Sequence, residues 1–290
     1  MIRGIHTCGK THTVKEFGTT RYPNTAYFDL VLNPTVSNVL DGSLDTEMTL
    51  DKLAEIGNTS IDDGTLLIVD GIQASPGAIE CLRRISRDRP RIHVICVTLP
   101  RIRVPKGIPV TTMRPMSLGE WATACGEREV TEMLRKEYIF TGGIPGAVSA
   151  WASDRDAERV RRIQNNILFG YGCDISGRVY RATGRPTNVW GPLPALMRGE
   201  VCPKWYKTTL GLLTWEGLVH GTAGGTRLCD VGLLGAMMNV SKEFVASDFP
   251  GAEHYRELVE DTISVTERAC SEDRITARSR RSPPPTGCTW

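Results

Sequence analysis

The sequence predicts an α/β fold: a mainly parallel sheet with helices against it, followed by a largely helical region. Three observations carry this. Residues 65–70 (TLLIVD) and 91–98 (RIHVICVT) are apolar runs of strand length, the pattern of strands buried on both faces. Segments of helical spacing alternate with them, as in a parallel sheet built from strand–helix–strand units. Residues 4–11 (GIHTCGKT) fit G-x-x-x-x-G-K-[ST], the phosphate-binding loop that joins a strand to a helix.

The elements follow in order. Met1, Ile2 and Arg3 alone stand before the loop, so its strand is expected to be a stub that weakens the sheet. In the loop, Gly4 and Gly9 let the backbone curl around Cys8 so that its N–H groups face an anion. Lys10 brings an ammonium to the phosphates, and the Thr11 hydroxyl is a ligand for Mg2+. A helix is expected over 10–17, with Gly18 as its cap. A strand at 25–30 is ended by Asn33-Pro34. After a polar stretch comes a helix over 50–56, then the strand 65–70. Asp70, at the carboxyl end of that strand, is a candidate for the Mg2+ shell or an ordinary strand-to-turn residue. A helix spans 78–87, with Ile79, Leu82 and Ile85 on one face. The strand 91–98 ends at Thr98, whose hydroxyl either reaches the γ-phosphate or bonds its own backbone.

Residues 104–115 read as an irregular extended connection. Ser117 and Glu120 form a capping box at the start of a helix over 117–125. Helices are expected over 127–138, 147–151, 155–169, 188–197 and 206–216, with a tight loop at 140–146. Short strands at 218–220 and 226–229 make a helix-plus-hairpin unit, either winged-helix-like and DNA-contacting or simply packed on its neighbours. Residues 266–290 are basic and proline-rich (Ser279 to Pro285 reads SRRSPPP) and are expected to be disordered, a solvated terminus or a tail for an acidic partner.

Composition narrows the partners. A net charge of +2 excludes a strong field for nucleic acid or membrane, and 40% hydrophobic with 23% charged residues is ordinary for a soluble protein. No apolar run reaches the length of a membrane span, and the N-terminus lacks the apolar core of a signal peptide. The 9 cysteines are scattered without a C-x-x-C pair, which points to a reducing cytoplasm and away from zinc.

Several landmarks stand in a fixed order: the loop 4–11, then LLIVDGIQ from Leu66 to Gln73, RPMSLGEW from Arg114 to Trp121, GGIPGAV from Gly142 to Val148, and DVGLL from Asp230 to Leu234. In this order and spacing, over about residues 4–260, the chain resembles the prokaryotic AAA-type ATP-binding proteins that carry a C-terminal domain of unknown function. The resemblance implies a P-loop NTPase core over 1–125, a helical AAA lid over 126–185, a winged-helix-like region over 186–265 and a tail over 266–290. It implies ATP and Mg2+ as cofactors, with Gly4, Cys8, Gly9, Lys10, Thr11 and Thr98 at the nucleotide and Thr11 and Asp70 at the metal. A DNA or protein partner and oligomer formation are compatible with it. Two departures stand out. The family has a Glu after the metal Asp, which orients the attacking water; here the residue is Gly71, so ATP binding with weak or lost hydrolysis is expected. The family's nuclease-like end is replaced by the proline-rich tail, so the chain resembles a shortened member. The alternative expectation is a non-enzymatic DNA- or protein-binding module on a vestigial nucleotide scaffold.

Overall fold

The computed structural model describes residues 1–264 apart from 44, 223, 224, 250 and 254. The expected tail at 266–290, with Cys270 and Cys288, lies outside the described residues. The chain divides into two compact units, Met1–Met113 and a second that begins at Arg114.

The first unit is a five-stranded sheet in the order β2-β3-β4-β1-β5. Its strands are β1 (Ile2–Gly4), β2 (Asn24–Asp29), β3 (Thr65–Asp70), β4 (His93–Thr98) and β5 (Thr111–Met113), and every pairing is parallel. The helices are α1 (Lys10–Arg21), α2 (Pro34–Asp41), α3 (Thr46–Gly57) and α4 (Ala78–Asp88). The alternation in β3 sorts the layers. Leu67 and Val69 join Val36, Leu40, Leu53, Leu82 and Ile85 in one core, under α2, α3 and α4. Leu66 and Ile68 join Val14 of α1 and Val97 in the other. A period of two in a central strand therefore builds a core on each face of the sheet.

Four sequence expectations change here. The stub β1 is short but not peripheral: it pairs with β4 through Ile2 and Arg3 and with β5 through Ile2, Arg3 and Gly4. Gly18 does not cap α1. It lies buried within the helix, because a Cβ there would meet the Thr25 side chain of β2 at 2.8 Å. Asn33-Pro34 opens α2: the Asn33 side chain accepts from Val36 N and Pro34 takes a first-turn position whose N–H needs no partner. The connection over 104–115 contains β5, three residues held by β1.

The second unit contains α5 (Leu118–Ala124), α6 (Glu132–Thr141), α7 (Pro145–Asp154), α8 (Ala157–Thr183), α9 (Leu193–Met197), α10 (Lys207–Trp215), α11 (Val231–Met237) and α12 (Lys242–Ala246). A two-stranded antiparallel hairpin, β6 (Val219–Thr222) and β7 (Gly225–Leu228), stands between α10 and α11. The Ser117–Glu120 capping box forms as expected. The helix expected over 127–138 starts later, where the Thr131 side chain accepts from Leu134 N. The helix expected to end near 169 continues to Thr183. Its buried stripe of Val160, Gln164, Leu168, Tyr171, Ile175 and Val179 runs unbroken past Gly170, Gly172 and Gly177. Burial of that stripe outweighs roughly 1 kcal/mol of lost propensity per glycine.

The Gly-Gly loop is a receptor for Asp230. Asp230 caps α11 by accepting from Leu233 N at 2.9 Å, and its other oxygen accepts from Gly143 N at 2.6 Å. Gly142 lies at φ 67, and a Cβ there would sit 2.3 Å from Asp230 Oδ1. Burial pushes the Asp230 carboxyl up to about 6, although the N–H groups of Leu233, Gly143 and Gly232 pull the other way. A raised carboxyl means that folding favours the protonated form. That contribution is full below the unfolded value near 4 and is lost as pH rises through about 6, on the order of 3 kcal/mol. Asp230→Asn cannot lose a proton, so its stability deficit against the wild type should shrink between pH 5 and pH 8 in denaturant unfolding. A deficit independent of pH would refute the buried-acid reading.

Candidate functional site

The carboxyl ends of β1, β3 and β4 and the start of α1 surround a cleft of about 430 Å3. That is the place where open parallel sheets offer ligands a crevice, and the volume falls in the range of small-molecule sites. The loop leaving β1 turns through Thr7 at φ 67 and Gly9 at φ 90, with Cys8 between them. Left-handed residues alternating with an ordinary one aim successive N–H groups inward, a nest for an anion. No side chain caps α1 and its first turn carries no acid. Its leading N–H groups and positive dipole end therefore remain available.

Lys10 is only 8% exposed. Its Nζ donates to Gly4 O at 2.9 Å and Ile5 O at 2.6 Å. Burial lowers its pKa, opposed by Cys8 and Asp70. Thr11 Oγ1 donates to Asp70 Oδ2 at 2.5 Å, and Tyr27 OH donates to the same oxygen at 3.3 Å. Asp70 Oδ1 accepts from Gly71 N at 2.7 Å. The Thr98 hydroxyl, 1% exposed, donates to Gln73 Oε1 at 3.2 Å, so its partner is a neighbouring side chain and not its own backbone. Cys8 is turned away: its Sγ donates to Met113 O at 3.7 Å, and burial raises the thiol's pKa despite the Lys10 charge. Only its backbone can serve a ligand. Gly4 is fixed by packing, since a Cβ would lie 2.4 Å from Met113 O.

Of the residues named from sequence, Gly9, Lys10, Thr11, Asp70 and Thr98 line this one cleft, while Gly4 and Cys8 sit behind it against β5. Asp29 also lines it and was not named. It ends β2 as Asp70 ends β3, and the two residues are in register. Both aspartates stand near the ends of their apolar runs in the sequence, but only the strand register sets them side by side. The Asp29 side-chain Oδ1 accepts from Val31 N and Leu32 N at 2.9 and 3.1 Å.

Gly71 is more than a missing side chain. It lies at φ 70, and a Cβ there would meet Val31 Cγ2 at 2.8 Å. A non-glycine residue would be strained in that conformation.

The oxygen donors Thr11 and Asp70 suit a hard cation. Among the described residues no three His, Cys, Asp or Glu side chains converge on a metal position. Mg2+ is ordinarily held by one or two protein oxygens together with phosphates and water, so this sparse set fits it. Among the described residues no helix is long and apolar enough to cross a membrane.

No protein-family model matches the chain, and no curated protein matches it. Among solved structures it shows a weak, partial likeness to the Walker-type ATPase PABY2304 of Pyrococcus abyssi. The TM-score is 0.48 at 12% identity, over 82% of this chain and 90% of that one. PCH-2 of C. elegans is similar at a TM-score of 0.30 and 14% identity, over 74% of this chain and 59% of that one. The chain's own architecture is an α/β core with an all-parallel sheet, followed by many helices.

Proposed function

We propose that this chain is an AAA-type protein that binds ATP with Mg2+ and turns it over weakly. The observation that carries the reading is the convergence of the Lys10 ammonium, the Thr11 hydroxyl and the Asp70 carboxylate on the uncapped start of α1. The loop N–H groups would cradle the phosphates, Lys10 would neutralise the outer ones, and Thr11 and Asp70 would hold Mg2+ directly or through water. The metal, when bound, neutralises charge on the β- and γ-phosphates. Weak turnover follows from Gly71, which has no group to orient water.

In this reading α6 to α8 form the lid, and α10, the hairpin and α11 form a winged-helix-like packing unit. Among the described residues, the hairpin strands and α11 present no exposed Lys or Arg to a DNA backbone. Arg227, the cationic residue of the described hairpin strands, is 5% exposed and donates to Met197 O and to Asp261. The side chains of α11 are apolar and mostly buried. The site is proposed to work in the cytoplasm, in keeping with described cysteines that are all free.

The test is a thermal melt with and without Mg-ATP. A ligand that binds only the folded state at a hundred times its Kd stabilises by about 2.7 kcal/mol, a shift of several degrees. An unmoved midpoint, with calorimetry showing no heat of binding, would remove the proposal.

A further inference from the structure

The space in front of Gly71 is not empty of carboxylate. An ideal Cβ on Gly71 would stand 3.6 Å from Asp29 Oδ1. The carboxylate of β2 thus reaches the point from which a side chain at 71 would start. The parallel register sets this up, because Asp29 pairs with Asp70 and a Cβ on the next residue would lie 2.8 Å from Val31 Cγ2, just beyond β2. Leu30 N donates to Asp70 O at 2.9 Å and ties the two strand ends together. The hydrogen bonds described for the Asp29 carboxylate all go to Oδ1, from Val31 N and Leu32 N. They fix the group against the wall of the cleft and leave Oδ2 as an acceptor.

We infer that Asp29 supplies, from the neighbouring strand, the water-orienting carboxylate that position 71 lacks. The inference rests on the ATP reading above and deepens it. In the step assigned to Asp29, a water oxygen attacks the γ-phosphorus of ATP. The bond between that phosphorus and the β–γ bridging oxygen breaks, and its electron pair leaves with ADP. The water proton passes to the Asp29 carboxylate and from there to solvent, giving ADP, inorganic phosphate and one proton. Asp is one methylene shorter than Glu and starts from β2, so the group is less well placed than a Glu after the metal Asp, in keeping with slow turnover.

Asp29→Asn isolates the charge, because an amide oxygen still accepts from Val31 N and Leu32 N. The full chain is assayed for Mg-ATP affinity by calorimetry and for phosphate release under saturating Mg-ATP. The expected result is an affinity within about threefold of wild type and a turnover at least about a hundredfold lower, the usual worth of a general base. Gly71→Glu is the second variant; its side chain would be strained at φ 70 and its Cβ would meet Val31 Cγ2 at 2.8 Å, so no gain in turnover is expected from it. Three results would overturn the inference: Asp29→Asn turning over like wild type, Asp29→Asn losing Mg-ATP binding itself, or Gly71→Glu raising the rate several-fold. A wild-type chain that binds Mg-ATP without releasing phosphate would overturn it too. Failure of the wild type to bind Mg-ATP is a different result, and it removes the parent reading.

Discussion

Lys10→Ala should reduce Mg-ATP affinity by at least about a hundredfold, on the order of 3 kcal/mol, the scale for removing a desolvated charge from an anion site. The ammonium is 8% exposed and Asp70 is among the charges acting on it, so solvent screening is weak where it works. The free protein complicates the measurement. Lys10 Nζ also bonds Gly4 O and Ile5 O, and its removal strips both carbonyls of a donor. That costs about 1–3 kcal/mol of stability on its own. Lys10→Met retains the apolar stem and serves as the partner variant. Melts without nucleotide establish that both are folded, and calorimetry then reads affinity. Wild-type affinity in a folded Lys10→Met protein would mean that the loop does not grip phosphate.

Gly143→Ala should be the most damaging small substitution in the second unit. An added Cβ would lie 2.1 Å from Met116 O and 2.6 Å from Met116 N, and these are backbone atoms that cannot rotate aside. The neighbourhood is also fully committed. Met116 N donates to Gly143 O at 2.7 Å, Tyr138 OH to Met116 O at 2.9 Å, and Gly143 N to the buried Asp230. Any shift that relieves the clash breaks one of these bonds. A loss on the order of 4 kcal/mol is expected, at the upper end for single substitutions. Gly211→Ala is the control: it lies in α10 with nothing within 4 Å of the added carbon. It should be neutral or stabilising by up to about 1 kcal/mol. Equal midpoints for the two variants in urea would show that Met116 yields to an added Cβ at 143.

Much of the first unit was legible because local signals suffice there. The run Thr65–Asp70 and the loop before Lys10 declare themselves by composition and spacing, and α4 by its apolar face. Features that depend on a distant partner were not legible. β5 is the tripeptide Thr-Thr-Met, with no apolar run, and exists as a strand because β1 pairs with it. Gly18 looks like a stop signal until β2 is seen to press against it. Asn33-Pro34 suits an ending and a beginning equally by its chemistry, and only the helix that follows decides between them. The glycines of α8 hid a stripe that only tertiary burial reveals. The site divides in the same way. Lys10 and Thr11 are set by spacing, whereas Asp29 joins them through strand register, which spacing does not encode. The Gly142-Gly143 and Asp230 motifs were each visible, but their partnership spans 87 residues.

The hydrogen bonds of Lys10 to its own loop make that loop a rival to any anion. An ammonium has three hydrogens, and two of those of Lys10 point at Gly4 O and Ile5 O. An incoming anion can recruit the third at once, but taking more means prising the side chain off its own main chain. Affinity therefore measures a contest between two sets of oxygens for one cation, and a loop that held Lys10 less closely would grip harder.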